Sequence, residues 1–317
     1  MENYKNLLSK LEEATFPDFS NLENMMHGDM PGDKISIQAS HIEKASLVFP
    51  KLAQKLSTVF AQNPHCRAVI SVCGGSGVGK SETASLLGEA FQRNGIGAYV
   101  LSGDNYPHRI PAQNDAERLR IFRVNGISGL VANGIYNAEI KETLKQLQEQ
   151  DLDAAPSACD QYPWLAVYQK EGRKALSRYL GSAEELNFGE LSHIISNFKQ
   201  GASHLYLKRM GRTPLELWYD KVDVSEKNLL IIEWTHGNSD GFTGVDLPIL
   251  LNSTPQETLE HRRSRNRDGA VDSPFVTMVL ELEQGQLQAQ AHKAAFIISK
   301  SGSLLSYQEY CQMMAQA

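Results

Sequence analysis

One octapeptide carries the densest chemical signal in the chain: Gly74-Gly75-Ser76-Gly77-Val78-Gly79-Lys80-Ser81. It fits G-x-x-x-x-G-K-[ST], a loop whose backbone N–H groups wrap a phosphate in conformations a side chain would forbid. Lys80 is expected to reach the β- and γ-phosphates of ATP, and the Ser81 hydroxyl to bind Mg²⁺. Glu82, the next residue, completes the expected nucleotide-binding set, Gly74 to Glu82.

Two acids and a run of arginines could act with this loop. Asp104 follows the apolar run Ala98-Tyr99-Val100-Leu101, and Glu233 ends Leu229-Leu230-Ile231-Ile232. A carboxylate at Asp104 could position an acceptor hydroxyl and take its proton, although Gly-Asp-Asn is also good turn chemistry. Glu233 could hold the Mg²⁺ shell or orient the acceptor, or pair with a nearby cation. His261-Arg262-Arg263-Ser264-Arg265-Asn266-Arg267 places four arginines within six residues. As a mobile lid, Arg263 and Arg267 would stabilise charge developing on a transferred phosphoryl group; as a solvated helix face they would do nothing chemical. Tyr106, His108, Arg109 and His236 are candidates to hold the acceptor, His108-Arg109 by reading an anionic group.

These residues need elements to position them. Ala68-Val69-Ile70-Ser71-Val72-Cys73 reads as a buried parallel strand entering the loop. Thr83, Ala84, Leu86, Leu87, Ala90 and Phe91 predict a helix leaving it, closed by Asn94-Gly95. The loop, Asp104 and Glu233 thus all fall at carboxyl ends of predicted strands, where doubly wound sheets bind ligands. Further strands are predicted at 247–251 and 294–298, a helix at 186–201, a hairpin within 203–226, and helix starts at Thr254-Pro255-Gln256-Glu257 and Ser273-Pro274. Strands alternating with helices predict an α/β fold with a parallel sheet. Residues 1–63 read as a helical N-terminal extension, with a helix bent near Pro50 and no chemistry visible. Residues 64–317 read as the catalytic domain, with a mostly helical insertion over about 125–185 on the acceptor side.

Composition narrows the class. The chain has 317 residues, 41 % of them hydrophobic, and a net charge of −6, so no chain-wide basic field points to nucleic acid or membrane. Four scattered cysteines make no C-x-x-C and suit a reducing, cytoplasmic setting. Neither a secretion signal nor an apolar run of membrane-spanning length is expected.

The constellation resembles the uridine kinase/phosphoribulokinase-like branch of P-loop kinases over residues 66–300, apart from the insertion. Asp104-Asn105-Tyr106 sits where that family has an Asp-x-aromatic motif whose Asp is the general base. Leu186-Asn187-Phe188 is similar to its acceptor-side segment, Glu233 to its strand-end Glu, and the arginine-rich helix to its lid. The resemblance implies a P-loop nucleoside-triphosphate-hydrolase-type three-layer α/β/α fold with a five-stranded parallel core, and ATP-dependent phosphorylation of a hydroxyl. The chain departs from the pattern at Trp234-Thr235-His236-Gly237 and at Leu207-Lys208-Arg209-Met210. The acceptor implied is a small hydroxylated metabolite: a sugar phosphate, an organic acid or a nucleoside. Homo-oligomerisation stays open.

Two other readings compete. A P-loop ATPase or GTPase switch should carry Asn/Thr-Lys-x-Asp after the loop, and none is present. The Asp-x-x-Gly at Asp29-Met30-Pro31-Gly32 lies upstream of the loop, on the wrong side. A non-catalytic nucleotide-sensing module acting through residues 1–63 is the third.

Overall fold

A computed structural model of the chain describes residues 2–22, 25–33, 35–254, 256–260 and 273–315. They form two compact units. The first comprises Met1–Tyr106, Asn187–Thr254 and Leu287–Ala317, and the second Pro107–Leu186 with Pro255–Gln286. The 125–185 stretch lies in the second unit, and the N-terminal helices lie in the first.

The first unit is built on a sheet ordered β2-β5-β1-β6-β7-β8. Its strands are β1 (Ala68–Gly74), β2 (Ala98–Ser102), β5 (Leu229–Glu233), β6 (Leu247–Leu251), β7 (Phe296–Ile298) and β8 (Leu304–Leu305). The first five run parallel, and β8 is antiparallel to β7. Every residue of β1 and β5 is buried, as expected for strands covered on both faces. The structure is therefore a mostly parallel α/β fold.

Three helices cover one face: α1 (Glu2–Glu12), α2 (Ala39–Gln62) and α3 (Lys80–Arg93). Phe49, Leu52, Leu56 and Phe60 of α2 share a core with Leu86 and Phe91 of α3 and with Ile70, Val72 and Ile231 of the strands. Helix α2 runs unbroken through Pro50. Proline removes one ladder bond there, but the adjacent Phe49 and Leu52 are fully buried and hold the helix to the sheet. On the other face, Cys73, Leu250 and Ile297 pack with Leu287 of α9 (Pro274–Gln290) and Tyr310 of α10 (Tyr307–Met314). A separate antiparallel ribbon pairs β3 (His204–Met210) with β4 (Leu217–Asp223), next in sequence to α8 (Phe188–Lys199).

The register fixes the site. Glu233 lies level with Val72 on one side and Ser102 on the other. The chain runs from β1 outward to β2, then returns and continues past β1 to β6, so the direction of winding reverses at β1. A ligand crevice is expected beyond the carboxyl end of the strand at such a reversal.

The second unit is helical: α4 (Pro111–Ala132), α5 (Ala138–Glu149), α6 (Ala158–Gln161), α7 (Leu165–Tyr179) and the first turns of α9. Helices α4 and α7 approach closely because Gly126 faces the Tyr168 ring and Gly172 faces Phe122; a Cβ on Gly126 would fall 2.5 Å from the Tyr168 ring. Two buried carboxylates bind its helices together. Asp153 accepts from the Tyr168 hydroxyl at 2.8 Å and from Arg123, and Glu185 accepts from Arg118 at 2.6 Å and Asn114 at 2.9 Å.

Candidate active site

The glycine loop leaves β1 at Gly74 (φ +150°) and enters α3 through Gly79 (φ +93°, ψ +31°). A Cβ on Gly74 would meet the Leu251 carbonyl at 2.5 Å, so only glycine fits between β1 and β6. Gly79 is in the left-handed region, and a Cβ on it would strike the His41 imidazole at 2.8 Å. No local pattern marks His41, at the start of α2, as a residue that seats itself on this loop. Its ring is fixed there by the Gln38 N–H, which donates to Nδ1 at 3.2 Å. Val78 turns inward into the core, while Gly75, Ser76 and Gly77 stay partly open. The Lys80 ammonium donates to the Gly75 carbonyl at 3.0 Å, folded back along the loop. Glu82 is fully buried in the first turn of α3.

Glu233 is the centre of the site. Its carboxylate accepts from Ser81 Oγ at 3.1 Å and from Ser102 Oγ at 2.5 Å. Burial, and then the negative charge of Asp104, raise its pKa from the ordinary 4.5 to about 8, against the pull of Ser102, Lys80 and Ser81. Asp104 sits in the single 3₁₀ turn Gly103–Asn105 directly after β2, its side chain exposed and its N–H donating to Ser102 Oγ at 3.2 Å. Loop, Ser81, Asp104 and Glu233 are thus brought together in the first unit. The turn is tightly fitted: a Cβ on Gly103 would drive into the Trp234 indole.

Trp234 anchors an aromatic group beside the turn. Its ring lies 5.7 Å from Phe188, 5.9 Å from Phe242 and, edge-on, 5.3 Å from His236. His236 is buried against it. Tyr106 is also fully buried, with the Lys208 ammonium 5.9 Å from its ring centroid. Burial pushes Lys208 below the ordinary lysine range, and Glu190 pulls it back. Glu190 itself accepts from Asn187 and Tyr219, both at 2.8 Å.

The remaining expected residues lie elsewhere. His108 and Arg109 belong to the second unit, where the His108 ring meets the Ala183 carbonyl at 3.1 Å and Arg109 donates to the Tyr179 hydroxyl at 2.9 Å. Arg263 and Arg267, with the rest of the arginine-rich segment, lie outside the described residues, as does Pro255 of the expected capped helix.

Ser102 and, within the N-terminal extension, Gly28 and Asp29 also belong to the site, with no local signal in the sequence to mark them. Gly28 is packed on the site: a Cβ there would lie 3.4 Å from Glu233 Oε1 and 3.9 Å from Ser102 Cβ. Asp29 is partly buried beside it and accepts four hydrogen bonds. Its Oδ1 takes Ser102 N at 2.8 Å and Asn105 Nδ2 at 3.1 Å, and its Oδ2 takes the Tyr99 hydroxyl at 2.9 Å and Arg209 Nη1 at 2.7 Å.

The donors around Glu233 and Ser81 are oxygens, the set a hard divalent cation takes, and they stand beside the phosphate loop. They fit Mg²⁺ held between protein and nucleotide. Among the described residues no helix is long and apolar enough to cross a membrane.

No family model matches the chain. It is 35 % identical over 254 residues, 80 % of its length, to the bifunctional alpha-galactosidase/sucrose kinase AgaSK of Mediterraneibacter gnavus, of which it spans 22 %. Among solved structures it is similar to a candidate fructose transport system kinase from Silicibacter sp. TM1040 (TM-score 0.44, 14 % identity, 75 % of this chain and 94 % of that one). It is also similar to a candidate uridine kinase from Bacillus stearothermophilus (TM-score 0.41, 13 % identity, 78 % and 98 %). From its phosphate loop, its strand-end acids and this sequence relative, the chain resembles the uridine kinase/phosphoribulokinase-like family of P-loop kinases.

Proposed function

We propose that the chain is an ATP-dependent kinase that transfers the γ-phosphate to a hydroxyl of a small metabolite. The observation that carries this reading is the Glu233 carboxylate, bonded to both Ser81 and Ser102 within reach of the charge of Asp104. A nucleotide-binding loop alone is shared by many activities. A loop joined to two acids at neighbouring strand ends supplies what phosphoryl transfer needs: positioning, charge neutralisation and a base.

The residues take these roles. Backbone N–H groups of residues 74–81 cradle the phosphates at the N-terminus of α3, where the helix dipole favours an anion. Lys80 leaves its resting contact with the Gly75 carbonyl to neutralise the transferring phosphoryl group. Asp104, exposed and on a stiff turn, accepts the proton of the acceptor hydroxyl. Ser81 and Glu233 would hold Mg²⁺, which when bound neutralises charge on the β- and γ-phosphates. Glu233 must give up its proton for this, so its raised pKa links metal binding to pH. Arg263 and Arg267 are assigned to the lid that closes over the phosphates.

For the acceptor, the name of the 35 % identical relative puts sucrose first. Trp234, Phe188 and Phe242 are buried against one another and back the site, and Glu190, which accepts from the Tyr219 hydroxyl, is the polar group assigned to a hydroxyl of the acceptor. The test is an ATP-consumption screen of the chain against sucrose, fructose, nucleosides, sugar phosphates and glycerate-like acids. Acceptor-dependent ADP release that Lys80→Ala removes supports the reading. Stoichiometric Mg·ATP binding with no acceptor-dependent turnover across the panel would overturn it in favour of a nucleotide-sensing module.

A further inference from the structure

We infer that the stretch leading into α2, through Gly28, Asp29 and His41, is a working part of the site, with Asp29 as a positioning residue that holds the Asp104 turn in place. The functional side of this inference rests on Asp104 being the base; the structural side does not.

The segment touches the site at three points. At one end His41 seats against Gly79 of the phosphate loop. Near the other end Gly28 lies over the Glu233 carboxylate and Ser102. Next to Gly28, Asp29 is the hub of a partly buried network. Its side chain is 10 % exposed and that of Arg209 is 7 % exposed. All four of its contacts serve elements that border Asp104. Ser102 N and Asn105 Nδ2 flank the turn itself. Tyr99 belongs to β2, and Arg209 belongs to β3, where the Met210 N–H in turn donates to Asn105 Oδ1 at 2.9 Å. Arg209 also donates to Tyr99 at 3.0 Å and to Asp220 at 2.9 Å. The turn Gly103–Asn105 is therefore pinned from Asp29, from the ribbon and, through Ser102, from Glu233. A carboxylate with all its acceptor sites filled defines geometry better than a neutral group would, because each partner is a charge-assisted or short bond of fixed direction. Catalysis by a positioned base is sensitive to displacements of an ångström or less.

The test compares the full chain with Asp29→Asn and with the double variant Asp29→Asn/Arg209→Gln, which leaves no unpaired buried charge and so protects against simple misfolding. Arg67→Ala, which loosens the first unit far from the turn, serves as the structural control. Amide exchange is followed over 102–106 and over 68–93, together with Mg·ATP affinity and acceptor turnover. Both Asp29 variants should exchange roughly tenfold or more faster over 102–106, with 68–93 unchanged, whereas Arg67→Ala should not single out the turn. Turnover should fall roughly 10- to 100-fold in kcat, with Mg·ATP affinity held within about threefold. Unchanged exchange over 102–106, or a rise spread evenly as in Arg67→Ala, overturns the inference. If no acceptor is turned over, the kinase reading falls, and the exchange data alone still decide whether Asp29 holds the turn.

Discussion

The Ser81 hydroxyl donates to Glu233 at 3.1 Å across 152 residues of sequence, joining the phosphate loop to the end of β5 through one contact. The same carboxylate is buried beside Asp104, which fixes the sign of its pH response. In the folded chain its pKa is about 8, against an ordinary 4.5. Between those values the folded state keeps a proton that the unfolded chain has released. The stability Glu233 contributes is thus complete below about pH 4.5 and is lost as pH rises through about 8. Urea unfolding of wild type and Glu233→Gln should show the wild type losing stability relative to the variant over that range. A constant difference would mean that the carboxylate is not protonated in the folded chain.

Lys80 and Asp104 are expected to separate binding from chemistry. Asp104→Asn should keep Mg·ATP affinity yet lower kcat by about 10²-fold or more, because the amide cannot accept the hydroxyl proton. Lys80→Ala should lower kcat by about 10²- to 10³-fold through lost charge stabilisation. Both are checked by calorimetric ATP binding alongside steady-state transfer. Near-full turnover by Asp104→Asn would reassign the base.

Gly79 carries a conformational requirement and a steric one. At φ +93° a side chain costs about 1–2 kcal/mol, and a Cβ would also meet the His41 ring at 2.8 Å. Gly79→Ala should therefore weaken Mg·ATP binding by about tenfold or more, while far-UV circular dichroism stays unchanged. Combining it with His41→Ala should recover part of the loss; no recovery would show that the backbone term alone matters.

Arg67 predicts a loss of stability without a loss of chemistry. Its buried guanidinium donates to the carbonyls of Phe198 at 2.8 Å, Ala202 at 2.7 Å and Val224 at 2.7 Å, and lies 4.7 Å over the Phe198 ring. It thereby closes the C-terminal end of α8 against the start of β1. Arg67→Ala should cost about 3 kcal/mol or more, since three charged donors vanish and leave buried carbonyls unpaired. Denaturant midpoints check this, with Mg·ATP affinity under native conditions expected to hold.

The sequence made much of the site legible where chemistry and local pattern coincide. The glycine loop, the apolar run of β1 and the helix period of α3 are adjacent in sequence, so a short window reveals them. Asp104 and Glu233 were found because both end apolar strands. Asp29, Gly28 and His41 were not, since their meaning lies in distant partners: Asp29 meets Arg209 across 180 residues. Asp29-Met30-Pro31-Gly32 drew notice only as a misplaced switch motif, and Arg209 as a departure from the family pattern. Ser102 was overlooked because a serine at a strand end is ordinary until the register sets it level with Glu233. The close fit of Gly103 under Trp234 is likewise a matter of packing, which no local pattern encodes.

The strand order also constrains how the chain can be made. β1 and β2 never pair; β5 lies between them and bonds to both. During synthesis the phosphate loop therefore emerges on a strand with no neighbour on that side, and the whole helical excursion of 107–186 is translated before β5 arrives to close the gap. The nascent chain carries an apolar strand on each side of an empty slot until Glu233 leaves the ribosome. Nucleotide affinity should accordingly appear late and abruptly in a series of ribosome-stalled lengths, and a chain stopped before β5 should be a chaperone client rather than a smaller ATP-binding protein.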